Sequence, residues 1–228
     1  MIQSIINLFF PKACAGCTAI LLASENVICT DCRHHIPLTN HHNIKNNEAI
    51  LKFYGKLDVV YASALFYFQK KGIVQELIHK LKYKGHQEIG ATIGYWYADE
   101  LKNIKLLNDI DFIIPVPLHQ KKIKKRGYNQ VTAFANALSE TLKIPVKELL
   151  LIRKKDTKSQ TKKNRINRSA VLEHVFSVDE TIEYQNKHFL LIDDVITTGA
   201  TLESCGRELL KIQGARLSIV CIAMTKDH

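Results

Sequence analysis

The chain has 228 residues, of which 46% are hydrophobic and 24% are charged, and it carries a formal net charge of +10. This composition is that of an ordinary globular protein with room for one α/β domain and a small additional module, and no run approaches the roughly 18 apolar residues that a membrane span requires. The apolar start, residues 1–10, is followed rather than preceded by Lys12, the reverse of a secretion signal, so we expect a cytoplasmic protein.

Four of the six cysteines form two closely spaced pairs near the start of the chain: Cys14, Cys17, Cys29 and Cys32. Each pair spans a tight turn, and two such turns supply four thiolates in a tetrahedron, which is the usual structural zinc site. Two disulfides, which a cytoplasmic protein disfavours, and an iron–sulfur cluster are the alternatives. The segment that follows, residues 33–59, is predicted to be a linker.

Strand and helix patterns alternate along the body of the chain. Predicted helices cover residues 73–83, 87–102, 129–142 and 201–213. Predicted strands cover residues 60–68, 111–116, 147–152, 175–178, 189–192 and 217–224. The alternation from residue 111 onward predicts an α/β fold, in which a parallel sheet has helices on both faces and binds ligands at the carboxyl ends of its strands.

Two basic segments are predicted to be loops near that edge of the sheet. Residues 119–126 precede an RGYNQ sequence that begins at Arg126, and residues 153–168 contain Asp156 as their only acid. Such a density of positive charge favours a polyanionic partner: a pyrophosphate, a nucleic acid, or both. The alternative is a basic surface that contacts only solvent. Residues 156–165 are predicted to be a lid that closes over a ligand, with a surface loop lacking ligand contacts as the alternative. The candidates for contacts to a pyrophosphate are Arg126, Lys162, Lys163 and Arg165.

The most informative segment is residues 188–201, where an apolar strand is followed by two carboxylates, a loop of hydroxyls and small residues, and a helix. The amides of such a loop and the positive end of the helix favour a phosphate. The candidates are Thr197, Thr198, Gly199, Ala200 and Thr201. Asp193 and Asp194 would accept hydrogen bonds from sugar hydroxyls, so the segment predicts a site for a phosphorylated sugar. The alternative is a buried strand that ends in a polar turn with an ordinary threonine N-cap.

Residues 189–201 resemble the phosphoribosyl-pyrophosphate (PRPP) motif of the type I phosphoribosyltransferases. The chain is also similar as a whole to the ComF competence-protein family. The similarity rests on residues 189–201, the four-cysteine module, the PVP sequence (residues 115–117), the RGYNQ sequence (residues 126–130) and the DT–SQT–R segment (residues 156–165). The resemblance implies a zinc-binding module and linker over residues 1–50 and a type I phosphoribosyltransferase-like domain over residues 51–228. It also implies that PRPP binds with Mg²⁺, the acidic pair holding the ribose 2′- and 3′-hydroxyls and the threonines the 5′-phosphate. Val171 stands near a position where the family usually has asparagine, so no polar role is carried over there.

The same resemblance implies a role in the uptake or use of external DNA. Its expected partners are single-stranded DNA and DNA-uptake helicase or channel proteins at the inner face of the membrane. Three functions remain open: a phosphoribosyltransferase, a non-catalytic PRPP-binding protein that grips single-stranded DNA, and a regulator that responds to PRPP. In the second, Tyr128, Tyr83 and Trp96 would stack on bases beside Lys121, Lys122, Lys124 and Lys125. No acceptor is identified; its pocket would be built by residues 50–105.

Overall fold

The computed structural model describes residues 11–153, 175–178 and 182–226. Its strands are β1 (Tyr61–Phe68), β2 (Phe112–Pro115), β3 (Leu151–Arg153), β4 (Phe176–Val178), β5 (His188–Ile196) and β6 (Arg216–Thr225). Four of them form a parallel sheet in the order β1-β6-β5-β2, whereas β3 and β4 form a separate antiparallel pair. The predicted parallel sheet is confirmed, and its four carboxyl ends meet at one edge.

The helices of the described residues cover the sheet on both faces. They are α1 (Thr30–His35), α2 (Glu48–Leu51), α3 (Ile73–Tyr83), α4 (Gln87–Leu101), α5 (Gln120–Arg126), α6 (Thr132–Leu142) and α7 (Ala200–Leu209). Helices α3, α4, α6 and α7 confirm the four that the sequence predicts, although α7 ends earlier than expected. In the part of the chain that the structure describes, no helix combines the length and apolar character needed to cross a membrane.

Side chains of β5 alternate between two hydrophobic cores. Leu190 and Ile192 pack with α3, α4 and α6, whereas Phe189 and Leu191 pack with α7. All four are fully buried, as expected for a parallel strand covered on both faces. Burial of each such side chain contributes about 1.5–3 kcal/mol relative to exposure, and a shift of one residue would turn all four to the wrong face. The apolar run therefore determines which face each following residue takes.

Strand β5 continues beyond its apolar run, so the prediction that it ends before the two carboxylates is wrong. Asp193 pairs with Cys221 of β6, and Ile196 still pairs with Met224. The neighbouring strand is ten residues long, and pairing with it keeps the chain extended although aspartate is disfavoured in strands. Because successive strand residues point to opposite faces, the carboxylates of Asp193 and Asp194 diverge.

The prediction of a linker over residues 33–59 is also wrong, because this segment packs against the sheet. Asn47 is 3% exposed; its side-chain oxygen caps α2, and its amide group donates to the carbonyl of Ala62 in β1 at 2.9 Å. Phe53 is 1% exposed and belongs to the core that contains α7. These contacts make the segment part of the folded body, while a domain boundary at residue 50 stays a prediction.

The antiparallel strands β3 and β4 flank residues 154–174 in sequence: β3 ends just before them, and β4 begins shortly after them. The predicted strand over residues 147–152 is displaced, because residues 148–150 form a turn and the strand begins at Leu151. The predicted lid over residues 156–165 lies outside the described residues, as do Lys162, Lys163, Arg165 and Val171.

Candidate functional site

The two aspartates of β5 have different surroundings. The carboxylate of Asp193 accepts a hydrogen bond from the amide of Asp194 at 2.8 Å and borders a small hollow on the α7 side. Asp194 is 5% exposed and faces α3, where its Oδ1 lies 2.8 Å from Lys82 Nζ and its Oδ2 accepts from Gln130 Nε2 at 2.6 Å. Burial, followed by the charge of Asp194, raises the pKa of Asp193. The charge of Asp194 is therefore compensated within the protein, whereas Asp193 is half-buried at the edge of the small hollow.

The hollow beside Asp193 is lined by residues 197–201, here called the threonine loop, with the exception of Thr198, and by Leu202 in the first turn of α7. Its volume is about 30 Å³, room for a few water-sized atoms such as the oxygens of a phosphate group. The N-cap residue Gly199 has no side chain to cover the first-turn amides, which have no acceptor within the helix. The helix dipole adds positive potential at the same place. These features favour an anion at the loop, and the phosphate site predicted there stays a prediction.

Gly199 shapes the threonine loop by its backbone conformation. Its φ is +80°, a left-handed value that favours glycine, and a Cβ built on it would lie 3.2 Å from Cε1 of Phe53. The buried ring of Phe53 thus supports the loop from below. Thr198 Oγ1 accepts from the amide of Ala200 at 3.4 Å, which closes the turn into α7.

A second and larger cavity, here called the basic cavity, lies on the α3 side of Asp194. Its volume is about 300 Å³, and it is lined by Lys82, Tyr83, Gly85, Lys122, Lys125, Arg126 and Tyr128. Among these described lining residues four are cationic and none is acidic, so the cavity favours a multiply charged anion. The guanidinium of Arg126 lies 5.4 Å from the ring centre of Tyr83, in a cation–π arrangement.

The basic residues 120–126 form helix α5, so the prediction of a loop there is wrong. His119 caps the helix by accepting from the amide of Lys121 at 3.1 Å, and Gly127 ends it with a φ of +85°. Lysine, glutamine and arginine are good helix formers. The helical spacing brings Lys122, Lys125 and Arg126 to one face, because residues three and four apart are neighbours on a helix; these three line the basic cavity.

The RGYNQ sequence joins α5 to the rest of the site. The hydroxyl of Tyr128 donates to the carbonyl of Leu81 in α3, and Asn129 Nδ2 donates to the carbonyl of Val116 after β2 at 3.0 Å. The next residue, Gln130, accepts from Arg126 through Oε1 and donates to Asp194 through Nε2. The motif therefore positions α5 against α3, β2 and β5 at once.

The structure brings Arg126, Tyr83 and Tyr128 together in the basic cavity but not Trp96. The indole of Trp96 packs against Phe66, with ring centres 5.4 Å apart, and lies under the guanidinium of Arg33. Trp96 therefore does not line the basic cavity, and its stacking on a base stays a prediction. Conversely, Lys82 was not a candidate, because on sequence grounds it belongs to the solvated face of the helix over residues 73–83.

The four N-terminal cysteines converge in a cluster that can hold a metal ion. Their Sγ atoms all lie within 4.8 Å of one another, and those of Cys17 and Cys29 are 3.6 Å apart. A tetrahedron with metal–sulfur bonds of about 2.3 Å has sulfur–sulfur edges of about 3.8 Å, so the arrangement fits. Although burial opposes it, amide donors including those of Cys29 and Gly16 lower the pKa of Cys14 to about 6. The cluster packs on α3, where Lys80 Nζ lies 3.4 Å from the carbonyl of Cys14.

Comparison with known proteins gives consistent matches. A phosphoribosyl transferase domain matches residues 130–228, which include β5, the threonine loop and α7. DNA utilization protein YhgH of Shigella flexneri is 28% identical over 152 residues, which is 65% of this chain and 66% of that protein, slightly less than two thirds of its length. Competence protein F of Haemophilus influenzae is 27% identical over 215 residues, 90% of this chain and 93% of that protein. Competence protein ComFC of Bacillus subtilis is 30% identical over 140 residues, 61% of this chain and 54% of that protein.

Proposed function

Because the chain carries a phosphoribosyl transferase domain and belongs to the ComF family of competence and DNA-utilization proteins, we propose that it binds PRPP and acts in the uptake or use of external DNA. The fold expected for that family, a type I phosphoribosyltransferase-like parallel sheet, is the one observed.

The observation that carries PRPP binding is the position of the threonine loop between Asp193 and the first turn of α7. In the proposed complex the 5′-phosphate lies against the loop amides, and a ribose hydroxyl donates to Asp193. The pyrophosphate then extends past the end of β5 toward Lys122 and Arg126 of the basic cavity. Charge-assisted contacts of this kind are about twice as strong as neutral hydrogen bonds, so the two hollows favour the two anionic ends of one ligand.

Two metal ions belong to the proposal. Mg²⁺ would be held chiefly by PRPP oxygens and water, as is usual for this ion, and when bound it would neutralise charge on the pyrophosphate. Zn²⁺ is proposed for the cysteine cluster, because four thiolates complete its tetrahedral coordination. Such a site has no open position for a substrate, so its proposed role is to stabilise the fold and to support contacts with a partner.

The PRPP proposal is tested by calorimetry on the full chain with Mg²⁺. Asp193→Asn keeps the shape of the side chain but replaces one acceptor oxygen with an amide group that only donates, and a hydrogen bond lost in this way costs about 1–3 kcal/mol. We therefore expect PRPP to bind the variant about tenfold more weakly. The matched control is Asp99→Asn, an exposed aspartate on α4 that pairs with Lys102. Equal PRPP affinity in wild type and Asp193→Asn would contradict the proposed site.

Single-stranded DNA is the second proposed ligand, and the lysines of α5 are the observation that favours it. Lys121 and Lys124 are exposed and do not line the basic cavity, so they can contact phosphates of a longer chain. Each neutralised phosphate should contribute about −0.7 to the slope of log affinity against log salt. Replacing both lysines with alanine should make that slope shallower, whereas Lys102→Ala at the C-cap of α4 should not. A slope near zero in the wild type would refute this role.

Whether a phosphoribosyl group is transferred is decided by a separate assay. The protein is incubated with PRPP, Mg²⁺ and a panel of bases and nucleosides, and released pyrophosphate is measured. Release with one acceptor would identify a phosphoribosyltransferase. No release in a protein that binds PRPP would favour a non-catalytic DNA-binding protein or a regulator that responds to PRPP.

A further inference from the structure

Both carboxylate oxygens of Asp194 already accept hydrogen bonds, one from Lys82 at 2.8 Å and one from Gln130 at 2.6 Å. Since Asp194 is only 5% exposed, a ribose hydroxyl can reach this carboxylate only if one of the two donors moves. Gln130 is 6% exposed, and its side-chain oxygen is held by Arg126. The side chain of Lys82 is 24% exposed and lines the basic cavity. Lys82 is therefore the donor that is free to move.

The surroundings of Lys82 also show where its ammonium group can go. It lies at the boundary between Asp194 and a cavity whose other lining cations are Lys122, Lys125 and Arg126. An ammonium group among these cations is stabilised either by Asp194 or by an anion inside the cavity, and its flexible stem permits both positions. The ion pair with Asp194 thus competes directly with a contact to an anionic ligand.

We propose that Lys82 is a specificity-determining residue, which exchanges Asp194 for the pyrophosphate of PRPP when one ribose hydroxyl takes its place on that carboxylate. This inference rests on the proposed binding of PRPP. It explains how the site would distinguish PRPP from ribose 5-phosphate, which has the same hydroxyls and 5′-phosphate. Ribose 5-phosphate breaks the ion pair without providing a new partner for Lys82, whereas PRPP provides one.

The test measures the affinities of PRPP and ribose 5-phosphate in the full chain with Mg²⁺ by calorimetry. In Lys82→Met, PRPP loses one charged contact but, like ribose 5-phosphate, no longer has to break the ion pair, so its own affinity should stay similar or fall. Ribose 5-phosphate should bind at least as well as in wild type, because the ion pair is no longer broken, so the ratio of the two affinities falls at least about tenfold. The matched control Lys84→Met, at an exposed lysine outside the cavity, should leave both affinities unchanged.

An unchanged ratio in Lys82→Met, or loss of both affinities by the same factor, would overturn the assignment of Lys82, because a merely structural role affects both ligands alike. A wild type that binds neither ligand would overturn the proposed function and this inference with it.

A second measurement uses the wild type and does not depend on a variant that folds. The amine of Lys82 is acetylated by a limiting reagent, and its modification is compared with that of Lys84 by mass spectrometry. Ribose 5-phosphate should raise the reactivity of Lys82 by releasing it from Asp194, and PRPP should lower it. The same response to both ligands would overturn the proposal.

Discussion

Substitution of Gly199 by alanine tests whether the threonine loop is held in place by its left-handed residue and by Phe53. A left-handed backbone costs an L-residue about 1–2 kcal/mol. The added methyl group would lie 3.2 Å from the ring of Phe53, which is buried and cannot retreat to solvent. Overpacking of this kind typically costs a further 1–3 kcal/mol or so. The gain of about 0.4–1 kcal/mol from a stiffer unfolded chain offsets only part of the loss.

The matched control is Gly55→Ala, where φ is +70° but no atom lies within 4 Å of the new methyl group. Backbone and unfolded-state effects are shared by both variants, so their difference isolates the contact with Phe53. We expect Gly199→Ala to lose about 1–3 kcal/mol more than the control in urea denaturation. Its Tm should fall by about 2–4 °C for each additional kcal/mol. Equal losses of unfolding free energy in the two variants would show that Phe53 does not support the loop.

Three further predictions concern the supports of the site. Tyr128→Phe removes the hydrogen bond to Leu81 and should lower the free energy of unfolding by about 1 kcal/mol in urea denaturation. Tyr95→Phe, which removes an exposed contact, should cost less, and equal losses would contradict the role of Tyr128. Chelation of the bound metal should lower Tm sharply, because structural zinc can contribute on the order of 10 kcal/mol. Cys17→Ser should purify with less zinc by elemental analysis, and full zinc content would contradict the proposed centre. Burial lowers the pKa of His188 below its ordinary value of 6.5. The unfolded chain then binds the proton more readily, so the free energy of unfolding should fall as the pH drops below 6.5, by at most about 1.4 kcal/mol per pH unit. His188→Gln should reduce this pH dependence when the free energy of unfolding is measured by urea denaturation at several pH values. An unchanged pH dependence would show that His188 is not its source.

The elements with strong hydrophobic periodicity could be predicted from the sequence. The helix over residues 73–83 agrees with α3 at both ends, because its apolar residues recur on one face and Gly72 precedes it. The extension of β5 through Asp193 could not be predicted in the same way. Aspartate is disfavoured in strands, and only pairing with a long neighbouring strand keeps the chain extended there.

The sequence of helix α5 contains local helix signals, and the prediction of a loop gave them too little weight. His119 and Gly127 are cap residues, and the residues between them favour helix, although the dense positive charge suggests a solvated loop. The role of Lys82 is different, because it arises from tertiary contacts. Its partner Asp194 is 112 residues away in sequence, and no local pattern reports that distance. Phe53 likewise acquires its role only when the segment around it packs beneath Gly199.

A crystal structure of the full chain with PRPP and Mg²⁺ would show whether the threonine loop holds the ligand. We expect the 5′-phosphate to lie within hydrogen-bonding distance of amides in the threonine loop, with a ribose hydroxyl on Asp193 and the pyrophosphate toward Lys82. A 5′-phosphate located away from residues 197–201, with PRPP bound elsewhere on the protein, would contradict this expectation.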